Sequence, residues 1–344
     1  MISLQVDLQQ AEKAKTLLLT NNLFDKKYKV ITSVNHIYFP LTKKDSLLLK
    51  EIKGAKFCNK KFMKSILKED YHEYLKDKLS AKEKQLLPRS YDIIGDIIIT
   101  EIKDNLVKKQ KIIGEALLKS HNKIKTILKK SSQHEGEFRT QTLFCIAGQD
   151  KRETIYTENN VKIKLDVEKV YFSPRLSTER KRIYKQVKNN ENVLVMFSGC
   201  GPYVLVLAKN TKAKKIVGIE KNPVAHNYAL ENLRLNKITN AELYLGDVRE
   251  ISLNMKFDRI IMPLPKGAEN FLDIALDMSK TGTVVHFYDF GQNTEETVQK
   301  IMNFCKINKT EIKILNSVRC GQYSPGTYRF CVDFQILRAR QLLP

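Results

Sequence analysis

The sequence predicts an α/β fold whose larger, C-terminal part is built around a mainly parallel sheet. Beyond residue 190, short apolar strands alternate with amphipathic helices, which is typical of parallel strands joined by crossover helices. The first strands of that series end in glycine or in an acidic residue, at the edge where open α/β sheets bind ligands. The 344 residues exceed one such unit, so two smaller N-terminal α+β domains are also expected.

The first of these domains is expected over residues 1–66, followed by a lysine-rich linker over 67–88 that ends at Pro88. Its predicted elements are a helix at Ala11–Leu19, strands at Tyr28–Val34 and His36–Pro40, and a second helix at Lys60–Leu67.

The second domain is expected over residues 89–168 as a mixed, mainly antiparallel unit. The dipeptide Asn159-Asn160 is a good hairpin turn between two of its strands. The predicted elements are a buried strand at Tyr91–Ile99, a helix at Gln110–Leu118, a strand or short helix at Lys123–Leu128, and strands at Thr142–Ala147, Thr154–Glu158 and Val161–Asp166.

The third domain is expected over residues 169–344, where strands and helices alternate. The predicted strands are Val193–Phe197, Lys215–Glu220, Ala241–Leu245, Arg259–Pro263, Gly282–Phe287, Glu311–Arg319 and Tyr328–Leu337, the last two forming an antiparallel hairpin at the sheet edge. The predicted helices are Ser177–Lys188, Tyr203–Asn210, Pro223–Asn236, Ala268–Lys280 and Thr294–Cys305.

Charge indicates a polyanionic partner. The formal net charge is +22, and the segment 103–130 alone carries nine lysines against two acidic residues. Nucleic acid is the first partner to consider for such an excess, although a solvated lysine-rich surface would give the same composition.

The cysteines and the apolar runs exclude other classes. The six cysteines form no Cys-x-x-Cys pair and do not cluster with histidines, so no metal site is predicted. No signal-peptide pattern and no apolar stretch of about 18 residues is present, so a cytoplasmic protein with reduced thiols and no membrane span is expected.

The candidate site follows three consecutive strands. Gly199 and Gly201 allow a tight turn and a close approach to a ligand, Glu220 is placed to accept hydrogen bonds from ribose hydroxyls, and Asp247 can reach an adenine amino group. The same strand ends supply further predicted cofactor-binding residues, namely Phe197, Lys221, Val248 and Pro263.

The glycine loop favours S-adenosylmethionine over a dinucleotide. In Ser198-Gly-Cys-Gly-Pro202, Val204 stands where a dinucleotide fingerprint has its third glycine. S-adenosylmethionine has no pyrophosphate to place at a helix N-terminus, so a shorter loop suffices. The alternative is an α/β core whose acidic residues only cap helices.

The string Val170-Tyr-Phe-Ser-Pro-Arg-Leu-Ser-Thr-Glu-Arg180 resembles the signature of the archaeal and eukaryotic tRNA (guanine-N1)-methyltransferases. Further matches are Gly136-Glu-Phe-Arg139, Asn222-Pro223, Gly246-Asp-Val-Arg249 and Tyr323-Ser-Pro-Gly326. The resemblance implies a class I, Rossmann-like domain that uses S-adenosylmethionine to methylate the guanosine 3′ of the anticodon. It also implies an N-terminal domain that contacts the tRNA body. We expect a monomer that binds both the anticodon loop and the body of a tRNA.

The resemblance also assigns catalytic roles. Glu179 is expected to be the general base that takes the proton from guanine N1, and Arg139 is expected to stabilise the charge left on O6. Tyr171 is a further candidate and is expected to stack on a base or on the adenine of the cofactor. The alternatives are that Glu179 caps a helix, that Arg139 binds a phosphate and that Tyr171 is a core residue.

The phosphates of the anticodon loop need cationic side chains of their own. Arg175 and Arg180 are expected to grip these phosphates, and Lys266 is expected to contact the phosphate beside the flipped base.

Two departures from the family pattern matter. Val195 stands where most class I methyltransferases have an acidic residue inside the first strand. Pro263-Leu-Pro265 replaces the usual Asn-Leu-Pro, as in a branch linked to wyosine synthesis, and Pro263 has no amide to hold the guanine edge. The pocket is therefore expected to be wider, and C7 of the tricyclic precursor 4-demethylwyosine becomes a second candidate substrate.

Three other functions stay open at this point. An aminocarboxypropyl transferase of the wybutosine pathway would use the same cofactor, and a non-catalytic tRNA-binding protein would have a degenerate version of the same fold. The third is a methyltransferase that acts on ribosomal RNA or DNA. Methylation of DNA amino groups is disfavoured, because the Asn/Asp-Pro-Pro-Tyr/Phe motif of those enzymes is absent.

Overall fold

Seventeen strands and ten α-helices make up the described part of the computed structural model, which covers residues 1–25, 27–63, 71–88, 90–132, 136–264, 267–324 and 326–339. The chain divides into two units, Met1–Lys78 with Lys119–His121, and Leu79–Leu118 with Asn122–Pro344. None of the described helices is long and apolar enough to cross a bilayer.

The first unit contains an antiparallel sheet in the order β2-β3-β1-β4, with Leu4, Leu18 and Phe39 buried in its core. Strand β1 was not predicted, although Ile2, Leu4 and Val6 alternate with polar residues as in a strand. The second half of the predicted helix Lys60–Leu67 lies outside the described residues. The elements are β1 (Ile2–Asp7), α1 (Ala11–Thr20), β2 (Ile31–Thr32), β3 (His36–Pro40), α2 (Leu47–Glu51), β4 (Lys56–Asn59) and α3 (Tyr71–Tyr74).

The second unit begins with a mixed sheet in the order β5-β6-β7-β8 and a separate hairpin, β9-β10. The single strand predicted at Tyr91–Ile99 is wrong: the segment is a tight hairpin that turns at Gly95, whose φ is +58°. A Cβ there would lie 2.2 Å from the Thr154 hydroxyl, so only glycine fits. The elements are α4 (Ala81–Gln85), β5 (Tyr91–Ile94), β6 (Ile97–Thr100), α5 (Gln110–Lys119), β7 (Thr126–Lys130), β8 (Leu143–Gly148), β9 (Glu153–Glu158) and β10 (Val161–Asp166).

A seven-stranded sheet forms the rest of this unit, in the order β13-β12-β11-β14-β15-β17-β16. The strands β11 to β15 are parallel, and β17 runs antiparallel between β15 and β16, which confirms the predicted fold class. The strands are β11 (Asn192–Met196), β12 (Lys215–Glu220), β13 (Ala241–Leu245), β14 (Phe257–Met262), β15 (Ser279–Gly291), β16 (Glu311–Ser324) and β17 (Thr327–Arg338). The helices are α6 (Ser177–Tyr184), α7 (Pro202–Asn210), α8 (Pro223–Asn236), α9 (Leu272–Asp277) and α10 (Thr294–Ile307).

One predicted helix of this sheet is wrong in length. The segment Ala268–Lys280 forms a 3-10 turn at Ala268–Phe271 and the short helix α9, and β15 already begins at Ser279. Ser279 pairs with Phe257, and the Thr283 hydroxyl donates to the Phe257 carbonyl at 2.6 Å, so the start of β15 is tied to the start of β14 instead of continuing the helix.

The order of the strands in the seven-stranded sheet determines where a ligand-binding crevice can form. The chain leaves β11 in one direction for β12 and β13 and in the other for β14 and β15, so a crevice opens at the carboxyl ends of these strands. The hairpin β9-β10 is fixed beside it, because Asn232 and Asn236 of α8 hydrogen-bond the backbone of Lys164 and Lys162 like a neighbouring strand. The chain leaving β10 then runs directly into Val170 and Tyr171.

Candidate cofactor and RNA site

The glycine loop after β11 turns by left-handed backbone conformations. Gly199 has φ +58° and Gly201 has φ +86°, and both conformations favour glycine. Phe197, which is not glycine, also has φ +58°, a strained conformation that structures tolerate mainly at functional sites. Gly199 lines the crevice, whereas Gly201 packs against Ala229 of α8, 3.4 Å from where a Cβ would lie.

Glu220 organises this loop at the end of β12. One carboxylate oxygen accepts the Gly199 N–H at 2.6 Å, and the other accepts the Asn222 N–H at 2.8 Å. Burial raises the pKa of Glu220, and the hydrogen bonds from the Asn222 and Gly199 N–H groups only partly oppose that rise. The carboxylate thus lies at the crevice floor in a partly dry setting, where a ribose diol would find a strong acceptor.

Asp247 follows β13, the strand that pairs with β12, and is held by cations. The Arg249 guanidinium donates to both carboxylate oxygens at 2.9 and 2.6 Å, and the Lys221 ammonium lies 3.2 Å away. The Arg249 hydrogen bond outweighs desolvation and lowers the pKa of Asp247. Lys221 also binds Glu137 at 2.5 Å, which brings the segment before β8 to the crevice.

Apolar side chains form the remaining wall. Phe197 meets Phe271 edge to face with ring centroids 4.9 Å apart, and the Arg249 guanidinium lies 5.1 Å from the Phe271 ring. Val248 and Pro263 also line the crevice, and Leu264 follows Pro263 there. The crevice therefore combines apolar surfaces, which suit a heterocycle, with the carboxylates of Glu220 and Asp247.

Arg139 and Tyr171 line the same crevice. The Arg139 guanidinium lies 4.9 Å from the centre of the Tyr171 ring, a cation–π distance, and 6.0 Å from the Phe290 ring. The fold therefore brings together an arginine and a tyrosine that are 32 positions apart in sequence, and it places both beside the predicted cofactor residues.

Comparison with known proteins decides the family. The TRM5/TYW2 methyltransferase domain matches residues 154–315, the TYW2 N-terminal domain matches residues 71–151, and the tRNA methyltransferase 5 N-terminal domain matches residues 3–46. The tRNA (guanine(37)-N(1))-methyltransferase Trm5b of Pyrococcus abyssi is 35% identical over 97% of this chain and 99% of its own length. The chain belongs to the TRM5/TYW2 methyltransferase family.

Two further relatives show the range of that family. The tRNA (guanine(37)-N(1))/4-demethylwyosine(37)-methyltransferase Taw22 of Nanoarchaeum equitans is 34% identical over 72% of this chain and 100% of its own length. Among solved structures, a complex of aTrm5 with tRNALeu has a TM-score of 0.71 and 34% identity, covering 98% of this chain and 100% of that one.

The solved structure of Trm5 of Methanocaldococcus jannaschii in complex with adenosine has a TM-score of 0.67 and 31% identity, and the match covers 98% of this chain and 100% of that one.

TRM5/TYW2 enzymes are S-adenosylmethionine-dependent, and the crevice fits this cofactor. Glu220 and Asp247 would hold the ribose and adenine ends, and Gly199 leaves room for backbone contact, since the nearest atom to a Cβ there is 3.9 Å away. Val195, by contrast, is buried in the core and does not line the crevice.

Glu179 is not among the residues that line the crevice. Its buried carboxylate accepts two hydrogen bonds of 2.8 Å from Arg182 and one of 2.6 Å from the Tyr288 hydroxyl. Burial by itself would raise the pKa of Glu179, but the hydrogen bonds from Arg182 and Tyr288 outweigh it and lower the pKa. The carboxylate is therefore ionised, and it must exchange a partner before it can accept a proton from a nucleobase.

The three residues predicted to bind RNA have different surroundings. Arg180 needs correction: its side chain is 2% exposed, and it pairs with the equally buried Glu158, with one N–H···O distance of 2.7 Å, so it cannot reach a phosphate. Arg175 is exposed and binds Asp92 at 2.7 Å, so its guanidinium is at the surface. Lys266 lies outside the described residues.

One cluster has the composition of a metal site. His286, Cys331 and Asp333 place ligand atoms within 4.8 Å of one another, and all three are buried. Asp333 is bound by the Arg182 guanidinium at 2.5 Å, and the Arg259 guanidinium lies 2.7 Å from His286. Two guanidinium groups already supply positive charge here, so the cluster is a buried ion network rather than a cation site.

The geometry of Glu220 gives a first prediction. Glu220→Ala should weaken S-adenosylmethionine binding about 10- to 100-fold, because hydrogen bonds to a charged group contribute ~1.5–3 kcal/mol and the glycine loop loses its anchor. Glu220→Gln retains one acceptor oxygen and should lose less. Isothermal titration calorimetry on the folded variants measures both, and an unchanged affinity in Glu220→Ala would remove Glu220 from the cofactor site.

Proposed function

We propose that this chain is a tRNA (guanine(37)-N1)-methyltransferase, which transfers the methyl group of S-adenosylmethionine to the guanosine 3′ of the anticodon. The observation that carries the proposal is one crevice that holds the cofactor residues Glu220 and Asp247 together with the pair Arg139 and Tyr171. Full-length similarity to Trm5b supports it, because that match includes the N-terminal domain as well as the methyltransferase domain. A cytoplasmic monomer is the form we expect.

When bound, the cofactor supplies an electrophilic methyl group on a sulfonium. The residues of this chain position the acceptor, which accounts for much of the rate in an in-line displacement. Tyr171 offers a ring on which the flipped guanine stacks, and the Arg139 guanidinium beside it stabilises the negative charge that O6 gains when N1 loses its proton. Glu179 accepts that proton after exchanging its contact with Arg182.

We expect tRNA to be the polyanionic partner, because the surface of the protein is strongly basic. Lysines 103, 108, 111, 123 and 125 of the second unit are exposed, and they supply much of its basic surface in the segment 103–130. A tRNA fits this surface, and its binding should weaken steeply with salt through counterion release.

Aminocarboxypropyl transfer is the second candidate, because the TYW2 N-terminal domain also matches residues 71–151. The two reactions move different parts of the same cofactor. S-adenosylmethionine labelled in the methyl group will label the tRNA in the first case, and only cofactor labelled in the carboxyl carbon will do so in the second. Transfer of the methyl label supports the proposed function, and transfer of the carboxyl label alone overturns it.

Pro263 gives a prediction about a second substrate. Pro263 lines the crevice and has no amide to hold the guanine edge, so we expect the wild type to methylate both guanosine and C7 of 4-demethylwyosine. Pro263→Asn should shift the product ratio towards 1-methylguanosine, while the neighbouring Leu264→Ile should leave the ratio unchanged. Both tRNA substrates are offered in competition and the two nucleosides are quantified. A wild type with no methyl on the tricyclic base ends the dual-substrate hypothesis and leaves the guanosine activity intact.

A further inference from the structure

Arg329 is an arginine beside the crevice that the sequence did not single out. It lies on β17 opposite Phe290 of β15, near the carboxyl end of the parallel strand β15 and on the same edge of the sheet as the crevice. One N–H of its guanidinium donates to the Tyr171 hydroxyl at 2.9 Å, and the guanidinium carbon lies 5.2 Å from the Phe290 ring. Arg329 therefore reaches the crevice through Tyr171.

The charge of Arg329 is not balanced by a carboxylate. Within the described ranges, no carboxylate oxygen lies within 4 Å of its guanidinium, and the one hydrogen bond of that guanidinium goes to the Tyr171 hydroxyl. The acidic residues near this edge have other partners. Glu220 accepts backbone N–H groups, and the rest pair with cations: Glu137 with Lys221, Asp247 with Arg249, Glu179 and Asp333 with Arg182, and Asp289 with Lys300.

The two arginines flank two rings. Arg139 lies over Tyr171, which lines the crevice, and Arg329 lies against Phe290 and binds the Tyr171 hydroxyl. The ring faces suit a nucleobase, and Arg139 is already assigned to its edge. A nucleotide turned out of an RNA loop brings one more group to the site, its phosphodiester, which needs a cation outside the base pocket.

We infer that Arg329 binds a backbone phosphate of the nucleotide that is to be methylated, and that it holds Tyr171 against the base in the same contact. The inference rests on the proposed function, since it takes RNA as the substrate. The guanidinium donates one N–H to the Tyr171 hydroxyl, and its other N–H groups can donate to the phosphate. Arg329 can therefore hold the tyrosine and the phosphate at the same time.

The experiment separates these two contacts by their salt dependence. Full-length wild type and variants bind a tRNA transcript over a series of KCl concentrations, and log Kd is plotted against log salt. Arg329→Gln should weaken binding about 5- to 20-fold at ~100 mM salt and lower the slope by about 0.7, the value for one phosphate contact on a single strand. Arg329→Lys keeps the charge and should keep the slope.

Arg319 provides a matched control. It is an arginine of the same strand pair, more exposed than the half-buried Arg329, and it stacks on Tyr328. Tyr328 precedes Arg329 by one position and so lies on the other face of β17. Arg319→Gln should leave the slope unchanged. Tyr171→Phe removes the hydroxyl without removing charge and should slow methyl transfer, again with an unchanged slope.

Two outcomes overturn the inference. If Arg329→Gln leaves the slope at the wild-type value, Arg329 contacts no phosphate and only holds Tyr171. If Arg319→Gln lowers the slope as much as Arg329→Gln does, the change reflects the loss of one positive charge anywhere on this strand pair and not a specific phosphate contact of Arg329. S-adenosylmethionine affinity, measured in parallel, should not change in either variant. Failure of the proposed function is visible separately, as a wild type that binds tRNA and transfers no methyl group.

Discussion

Glu179→Gln is expected to lower the single-turnover rate of methyl transfer to guanine N1 by about 10²-fold or more at neutral pH. The amide keeps the shape of the side chain but cannot accept the N1 proton. S-adenosylmethionine affinity should stay at the wild-type value, because Glu179 lies outside the cofactor crevice. Rapid-quench assays under saturating enzyme measure the rate, and calorimetry measures the affinity.

Tyr288→Phe is the control for this experiment. It removes a 2.6 Å hydrogen bond to the same carboxylate but leaves the base in place. Because the Tyr288 hydroxyl helps to lower the pKa of Glu179, its loss should raise that pKa and move the acidic limb of the rate profile to higher pH. If Glu179→Gln stays within a few-fold of wild type, Glu179 serves only to hold Arg182.

Arg180→Met is expected to be the most destabilising substitution considered for this chain. It leaves Glu158 as an uncompensated charge in a site where both partners are 2% exposed, and loss of one partner of a buried pair costs about 3–5 kcal/mol. Urea unfolding followed by circular dichroism gives the change in the free energy of unfolding.

Arg175→Met removes an arginine five positions away that pairs with Asp92 at the surface, and should cost under ~1 kcal/mol. Replacing Arg180 and Glu158 together with methionine should recover much of the loss, because no charge is then left alone. If Arg180→Met is as stable as wild type and binds tRNA more weakly, the sequence-based RNA-binding role of Arg180 stands and the burial argument is wrong.

The cofactor crevice was the part of the molecule most open to prediction from sequence. Parallel strands bring their carboxyl ends to one edge, so Gly199, Glu220 and Asp247 had to meet there once β11, β12 and β13 were placed. Of the predicted cofactor residues, Gly201 alone does not line the crevice and instead packs against α8.

Burial of charged side chains was not open to prediction in the same way. The string Ser-Pro-Arg-Leu-Ser-Thr-Glu-Arg contains three charged residues of similar appearance, yet Arg175 is exposed while Glu179 and Arg180 are buried. Arg180 pairs with Glu158 of β9, and Glu179 accepts a hydrogen bond from Tyr288 of β15. No local sequence pattern connects either pair. Arg329 was missed for the same reason, since its partner Tyr171 is 158 positions away in sequence.

Nucleoside mass spectrometry tests the central claim most directly. The full-length protein is incubated with S-adenosylmethionine and two tRNA transcripts that differ only in having guanosine or adenosine at the position 3′ of the anticodon, and the digested nucleosides are identified. The proposed function predicts 1-methylguanosine from the first transcript and no methylated nucleoside from the second. Methylation of both transcripts, of another position, or of neither in a protein that binds the cofactor would contradict it.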